Sequence, residues 1–177
     1  MMAVSTKGRY SIRIMLLMAS QPQGRIFTRH EIAERDDISP AYVQQLMMTL
    51  KSAGFVSSHR GKVGGFTLVR DPETITVGEV LKASEGPLAL APCLGVERCK
   101  REPVCACRGL WVKAATLLEE LFDSVTIAGL MEEGRALAHD WPGGFGFVPV
   151  DLPGDGNGGQ MEGESPVRYV GFPKPSA

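Results

Sequence analysis

Ser39-Pro40-Ala41-Tyr42-Val43-Gln44-Gln45-Leu46-Met47-Met48-Thr49-Leu50-Lys51, closed by Gly54 and followed by Phe55-Val56-Ser57-Ser58-His59-Arg60, changes its period in mid-run. Val43, Leu46, Met47 and Leu50 recur at helical spacing and predict a buried face, leaving Ala41, Gln44, Gln45 and Lys51 largely on the other. Ser39 is the expected cap and Pro40 the first helical residue, where a missing N–H costs nothing. Beyond Gly54, Phe55–Arg60 and Gly65–Val69 read as short strands. Gly61-Lys62-Val63-Gly64 joins them as a glycine-punctuated hairpin with a basic tip.

Upstream, Thr28-Arg29-His30-Glu31 has the pattern of a capping box, predicting a short helix to about Arg35. An apolar helix around Ile12, Ile14, Met15, Leu16, Leu17 and Met18 precedes it and ends at Gln21-Pro22-Gln23-Gly24. Two helices at an angle followed by a basic hairpin make a winged helix, in which the second helix enters the DNA major groove and the wing lies on the backbone or minor groove. The expected fold is therefore mainly α with a small β-hairpin: a winged helix-turn-helix plus a long dimerisation helix.

Downstream, Thr76-Val77-Gly78-Glu79 is a second capping box, opening a helix to about Ser84. Leu110, Trp111, Ala114, Leu117, Leu118, Leu121 and Phe122 then recur at helical spacing, and Thr126 is the expected cap of a last helix. One helix cannot bury that stripe unaided. Its place after a DNA-reading module favours pairing with a second copy, hence a homodimer. The expected organisation is a DNA-binding domain over 1–85, a cysteine-rich loop over 86–108, dimerisation and C-terminal helices over 109–141, and a disordered tail over 142–177.

Charge separates the same halves. Residues 1–70 hold ten Lys and Arg against four Asp and Glu, a balance of +6, whereas residues 71–177 hold nine against sixteen, a balance of −7. A basic amino half is the electrostatic signature of a phosphate-binding surface. On the second helix, Gln44 and Gln45 carry amides suited to paired bonds with adenine, while Ser39 and Tyr42 suit phosphate or sugar. Arg60 suits a narrow minor groove and Lys62 a phosphate, with Lys7 completing the expected DNA-binding set.

All four cysteines, Cys93, Cys99, Cys105 and Cys107, fall within fifteen residues. The first three step by six, unlike a zinc knuckle, and thiolates suit the soft iron of an iron–sulfur cluster. The alternative is a redox switch of thiols without a cluster. Arg98, Lys100, Arg101 and Arg108 flank them and would lower thiol pKa values and offset an anionic cluster, or simply solvate the loop. Neither a phosphate loop nor paired carboxylates appear, and His30, His59 and His139 are distant in sequence from the cysteines, so no enzyme is expected. The absence of a long apolar run or a signal-peptide core leads us to expect a cytoplasmic protein without membrane contact.

Four motifs stand in order: Ser5-Thr6-Lys7-Gly8-Arg9-Tyr10, Ile38 to Leu46, Val56 to Phe66, and the evenly stepped cysteines. Over about residues 2–140 this resembles the bacterial IscR and NsrR regulators, of the Rrf family of winged-helix transcription factors. The resemblance implies a homodimer on a palindromic operator in double-stranded DNA, sensing iron–sulfur, redox or nitric oxide status. It implies Cys93, Cys99 and Cys105 as cluster ligands. The histidine that IscR uses as fourth ligand falls at Arg108 here, and the aspartate of NsrR at Arg9, which leaves Cys107 as the substitute. A 2Fe-2S cluster is preferred to 4Fe-4S. IscR also carries glutamate where this chain has Gln44, which implies a different operator. The rival reading is a cluster-free, thiol-sensing regulator that acts partly through contacts with a metabolic enzyme.

Overall fold

The computed structural model describes residues 4–61, 64–95 and 99–139. Among them are six α-helices and one antiparallel hairpin: α1 (Thr6–Ala19), α2 (Arg29–Asp36), α3 (Pro40–Ser52), β1 (Val56–His59), β2 (Gly65–Leu68), α4 (Val77–Glu85), α5 (Ala106–Ser124) and α6 (Ile127–His139). The sequence-expected elements are present in their expected order. The tail from residue 142 lies outside the described residues.

The caps are chemical, not merely positional. Ser5, Thr28, Ser39 and Thr76 each accept a backbone N–H three residues on, satisfying donors that a helix start leaves orphaned. At Thr76 the box is reciprocal, because the Glu79 carboxylate accepts the Thr76 N–H at 3.0 Å. The expected partner box at Thr28 is only half realised. There the Glu31 carboxylate is taken by Arg25 at 2.6 Å, and a charged donor outcompetes a backbone amide. Asp37 closes α2 in the left-handed region at φ 51°, giving the sharp turn that sets α3 across α2.

The apolar face of α3, Val43, Leu46, Met47 and Leu50, is fully buried against Ile14 and Met15 of α1, Ile32 of α2 and Val80 of α4 in one core. The hairpin joins this core through Phe55, Val56 and Phe66. Strand β2 also bonds to the α1–α2 connection: Phe27 N–H donates to Phe66 C=O at 2.8 Å, and Phe66 N–H donates to Phe27 C=O at 2.9 Å. The wing is thus anchored to the body at its base.

Helix α6 returns to the winged-helix body, where Ile127 is fully buried and Leu130 packs beside it. A two-bond clamp secures the turn before it: Val77 N–H donates to Val125 C=O and Ile127 N–H to Ile75 C=O, both at 2.8 Å. The expected stripe on α5 divides. Phe122 packs on the core, and Ala115, outside the stripe, is buried, whereas Leu110, Leu117 and Leu121 are 55–66% exposed. No helix among the described residues is long and apolar enough to cross a membrane.

Candidate nucleic-acid interface and cysteine loop

Helix α3 presents a face opposite its core contacts. Ala41, Gln45, Met48 and Ser52 recur along it and are all exposed, with Gln44 half-buried at its edge. Ser39 spends its hydroxyl on the Tyr42 N–H at 3.2 Å, so its oxygen has a capping duty as well as exposure. Tyr42 is half-buried, its ring edge-on to Tyr10 of α1 at 6.1 Å, so most of the ring serves packing. Lys7 is half-buried on the first turn of α1. Arg60 is exposed just past β1, and Lys62 lies outside the described residues.

One hydrogen bond and one ion pair tie these parts together. Lys51 Nζ donates to Ser58 Oγ at 2.6 Å, tying the last turn of α3 to the wing strand β1. Arg13 of α1 pairs with the buried Asp36 at the end of α2 at 2.7 Å. Burial pushes the Asp36 carboxyl above its ordinary value even though Arg13 beside it favours the charged form. Farther from α3, Arg70 stacks over Phe55 and binds Glu79 at 3.0 Å. Burial pushes Glu79 up, but the Arg70 and Thr76 hydrogen bonds outweigh it and hold the carboxyl below its usual range.

The sequence reading missed Met48. Its position one turn beyond Gln44 and Gln45 was the available signal, but a methionine beside the buried Met47 reads as more core. It is 48% exposed.

Replacing Arg60 with Ala should leave melting unchanged, since the side chain is exposed. It should weaken DNA binding and make the dependence of affinity on salt shallower by about one phosphate contact. Titration at several salt concentrations measures both, and an unchanged slope would remove Arg60 from the interface.

The cysteine loop carries two 3-10 turns, Pro92–Leu94 and Glu102–Val104, the first packed against α5. Cys105 is the N-terminal boundary residue of α5 and Cys107 stands in its first turn, so the expected loop over 86–108 becomes helical at Ala106. This separates the two thiols by a helical start rather than by a flexible link. All four are free thiols; Cys93 and Cys105 are half-buried, Cys99 and Cys107 exposed. No group of three His, Cys, Asp or Glu converges into a metal site among the described residues.

Arg108, where the resemblance to IscR implied a histidine ligand, is bound to Glu102 at 3.0 Å and brings no donor lone pair to a metal. Its Nε is buried with no hydrogen-bond acceptor. An anion held by the loop would supply that acceptor, and four thiolates are chemically suited to iron, so the donor set fits an iron–sulfur cluster although the thiols do not converge here.

The family described as "Iron-dependent Transcriptional regulator" (Rrf2) matches residues 4–133. The HTH-type transcriptional regulator CymR of Bacillus subtilis (strain 168) is 36% identical over 129 residues, covering 73% of this chain and 89% of that protein. The HTH-type transcriptional regulator IscR of Vibrio campbellii is 31% identical, covering 77% and 81%. Among solved structures, that of the B. subtilis CymR, titled the global cysteine regulator, superposes with a TM-score of 0.62 at 32% identity, covering 75% of this chain and 98% of that one. The T. potens IscR structure has a TM-score of 0.62 at 31% identity, covering 77% and 90%. Regulators of this family bind DNA. A capped reading helix beside an anchored basic hairpin, matched by the family over 130 residues from 4 to 133, gives the assignment: the chain belongs to the Rrf2 family of transcriptional regulators.

Proposed function

We propose that the protein is a homodimeric regulator that binds a palindromic operator and reports iron–sulfur or thiol redox status through Cys93, Cys99, Cys105 and Cys107. The observation that carries this reading is the position of two of the thiols at the start of α5. Cys105 and Cys107 sit at the start of that helix, and its far end is clamped to α4 through Val125 and Val77. Helix α4 packs on α1 and α3. A change at the cysteines therefore has a rigid route to the pose of the reading helices, provided that the two thiol states differ in DNA affinity.

Cys93, Cys99 and Cys105 would hold a cluster, with Cys107 as the fourth ligand in place of the lost histidine. Such a cluster would supply sensitivity to oxidants and nitric oxide. Ligation asks the start of α5 to unwind or turn, because Cys105 and Cys107 are only two residues apart and the thiols do not converge in this structure. Lys100, Arg101 and Arg108 would offset the negative charge of the ligated thiolates.

In the second reading the same thiols sense without a cluster and the protein acts partly through contacts with a metabolic enzyme; similarity to CymR, titled a global cysteine regulator, keeps it beside the first. Anaerobic purification and reconstitution of the full chain separate the two. Serine at Cys93, Cys99 or Cys105 should abolish stable iron and acid-labile sulfide. Serine at Cys107 should leave a cluster with altered absorption and faster loss, because hydroxyl is a poorer donor to iron. A parent protein without iron or sulfide after reconstitution would leave the thiol sensor.

A further inference from the structure

Single apolar side chains on a protein surface are common and mean little alone. Met48 differs in where it stands. The outward face of α3 carries Ala41, Gln45, Met48 and Ser52, and at the level of Met48 each polar neighbour already makes one hydrogen bond within the protein. Thr49 Oγ1 donates back to Gln45 C=O at 3.2 Å, Ser52 Oγ to Met48 C=O at 2.9 Å, and Lys51 Nζ to Ser58 Oγ. Met48, 48% exposed, is the large apolar side chain that this turn presents outward.

On one side of it the face holds the exposed amide of Gln45, with the half-buried Gln44 at its edge. Gln44 lies one turn before Met48, and Gln45 lies between Met48 and Ala41. From Ala41 to Met48 the helix rises about 10 Å, which is about three base-pair steps. An amide bonded to adenine N6 and N7 reads one edge of an A·T pair. The partnered thymine shows its C5-methyl group in the same groove, the apolar feature that no other base pair offers there. A face that runs methyl, amide, thioether is therefore complementary to consecutive A·T pairs. The unbranched thioether of methionine adapts its shape to such a contact.

We propose that Met48 is a specificity-determining residue that packs on a thymine C5-methyl group of each operator half-site, beside the adenine read by Gln44 or Gln45. This rests on operator binding by α3. Loss of one methyl from an apolar contact weakens binding about three- to fivefold per half-site.

The test uses duplexes selected from random-sequence DNA by the full-length protein, then resynthesised with deoxyuridine in place of one symmetric pair of thymines at a time. Deoxyuridine keeps every hydrogen-bonding group and lacks the methyl. The parent protein should lose about tenfold or more for one pair of positions, counting both half-sites. Met48→Ser, folded as judged by an unchanged melting curve, should bind the thymine duplex about as weakly and cease to distinguish the two bases at those positions. Equal affinity within about twofold for every uridine duplex would overturn the proposal. So would a Met48→Ser protein that keeps the parent's uridine penalty. A selection that returns no duplex would instead sink operator binding itself, and the proposal with it.

Discussion

Glutamate at both Leu117 and Leu121 should give a folded monomer that has lost operator binding. The two leucines, with Leu110 and the smaller Ala114, recur in steps of seven and four along α5, a seam suited to a second helix. Leu117 and Leu121 are more than half exposed, while Phe122 on an adjoining face packs on the core and Ala115 is buried. Burying a leucine side chain contributes about 1.5 to 3 kcal/mol, and a twofold contact uses each residue twice. A carboxylate in that seam removes the gain and adds like-charge repulsion. Because the substituted side chains face away from the core, the helical circular dichroism and melting of the subunit should be retained. Losing the second half-site should cost about a hundredfold or more in affinity for a palindrome. Sedimentation velocity checks the first claim and DNA titration the second. A folded double variant that still sediments as a dimer would place the interface elsewhere.

Gly65→Val should unfold the wing and lower the melting temperature by about 10 °C, a loss of about 3 kcal/mol for a chain of this size. Gly65 opens β2 opposite His59, where a Cβ would run into the carbonyl of Phe27 and lie 2.8 Å from Ile26 Cγ2. The obstacle includes backbone, which cannot swing aside as a side-chain end does. Relief requires parting the Phe27–Phe66 bridge, and both rings belong to the core. Gly109→Ala is the control. It lies in α5 with nothing within 4 Å of a new Cβ, so the exchange should be neutral or stabilising by up to about 1 kcal/mol. Thermal melting of the two variants side by side measures the contrast, and a Gly65→Val protein that melted with the parent would show that β2 can shift without loss.

Much of this was legible in the chain because it depends on short-range chemistry. Caps at Ser39 and Thr76, the breaks at Gly24 and Gly54, and the change from helical to strand period at Phe55 all act over three or four residues, and each appears where expected. The box at Thr28 was misjudged in part, since Arg25 competes for Glu31 from outside the motif. Identity of the thiols was legible too. Their arrangement was not, because a step of six residues says nothing about where α5 begins.

By itself, then, the sequence determined which segments are helices and strands, which face of α3 is apolar, and that the half with net positive charge is not the half with the thiols. Local hydrogen bonding and periodic burial are properties of neighbouring residues, so no fold is needed to read them. Tertiary structure alone decided that α6 adds Ile127 to the winged-helix core, that only part of the α5 stripe stays exposed, and that Met48 faces out beside a buried Met47. Each of these depends on which distant surface meets a helix, and a face becomes core or surface only when another element covers it.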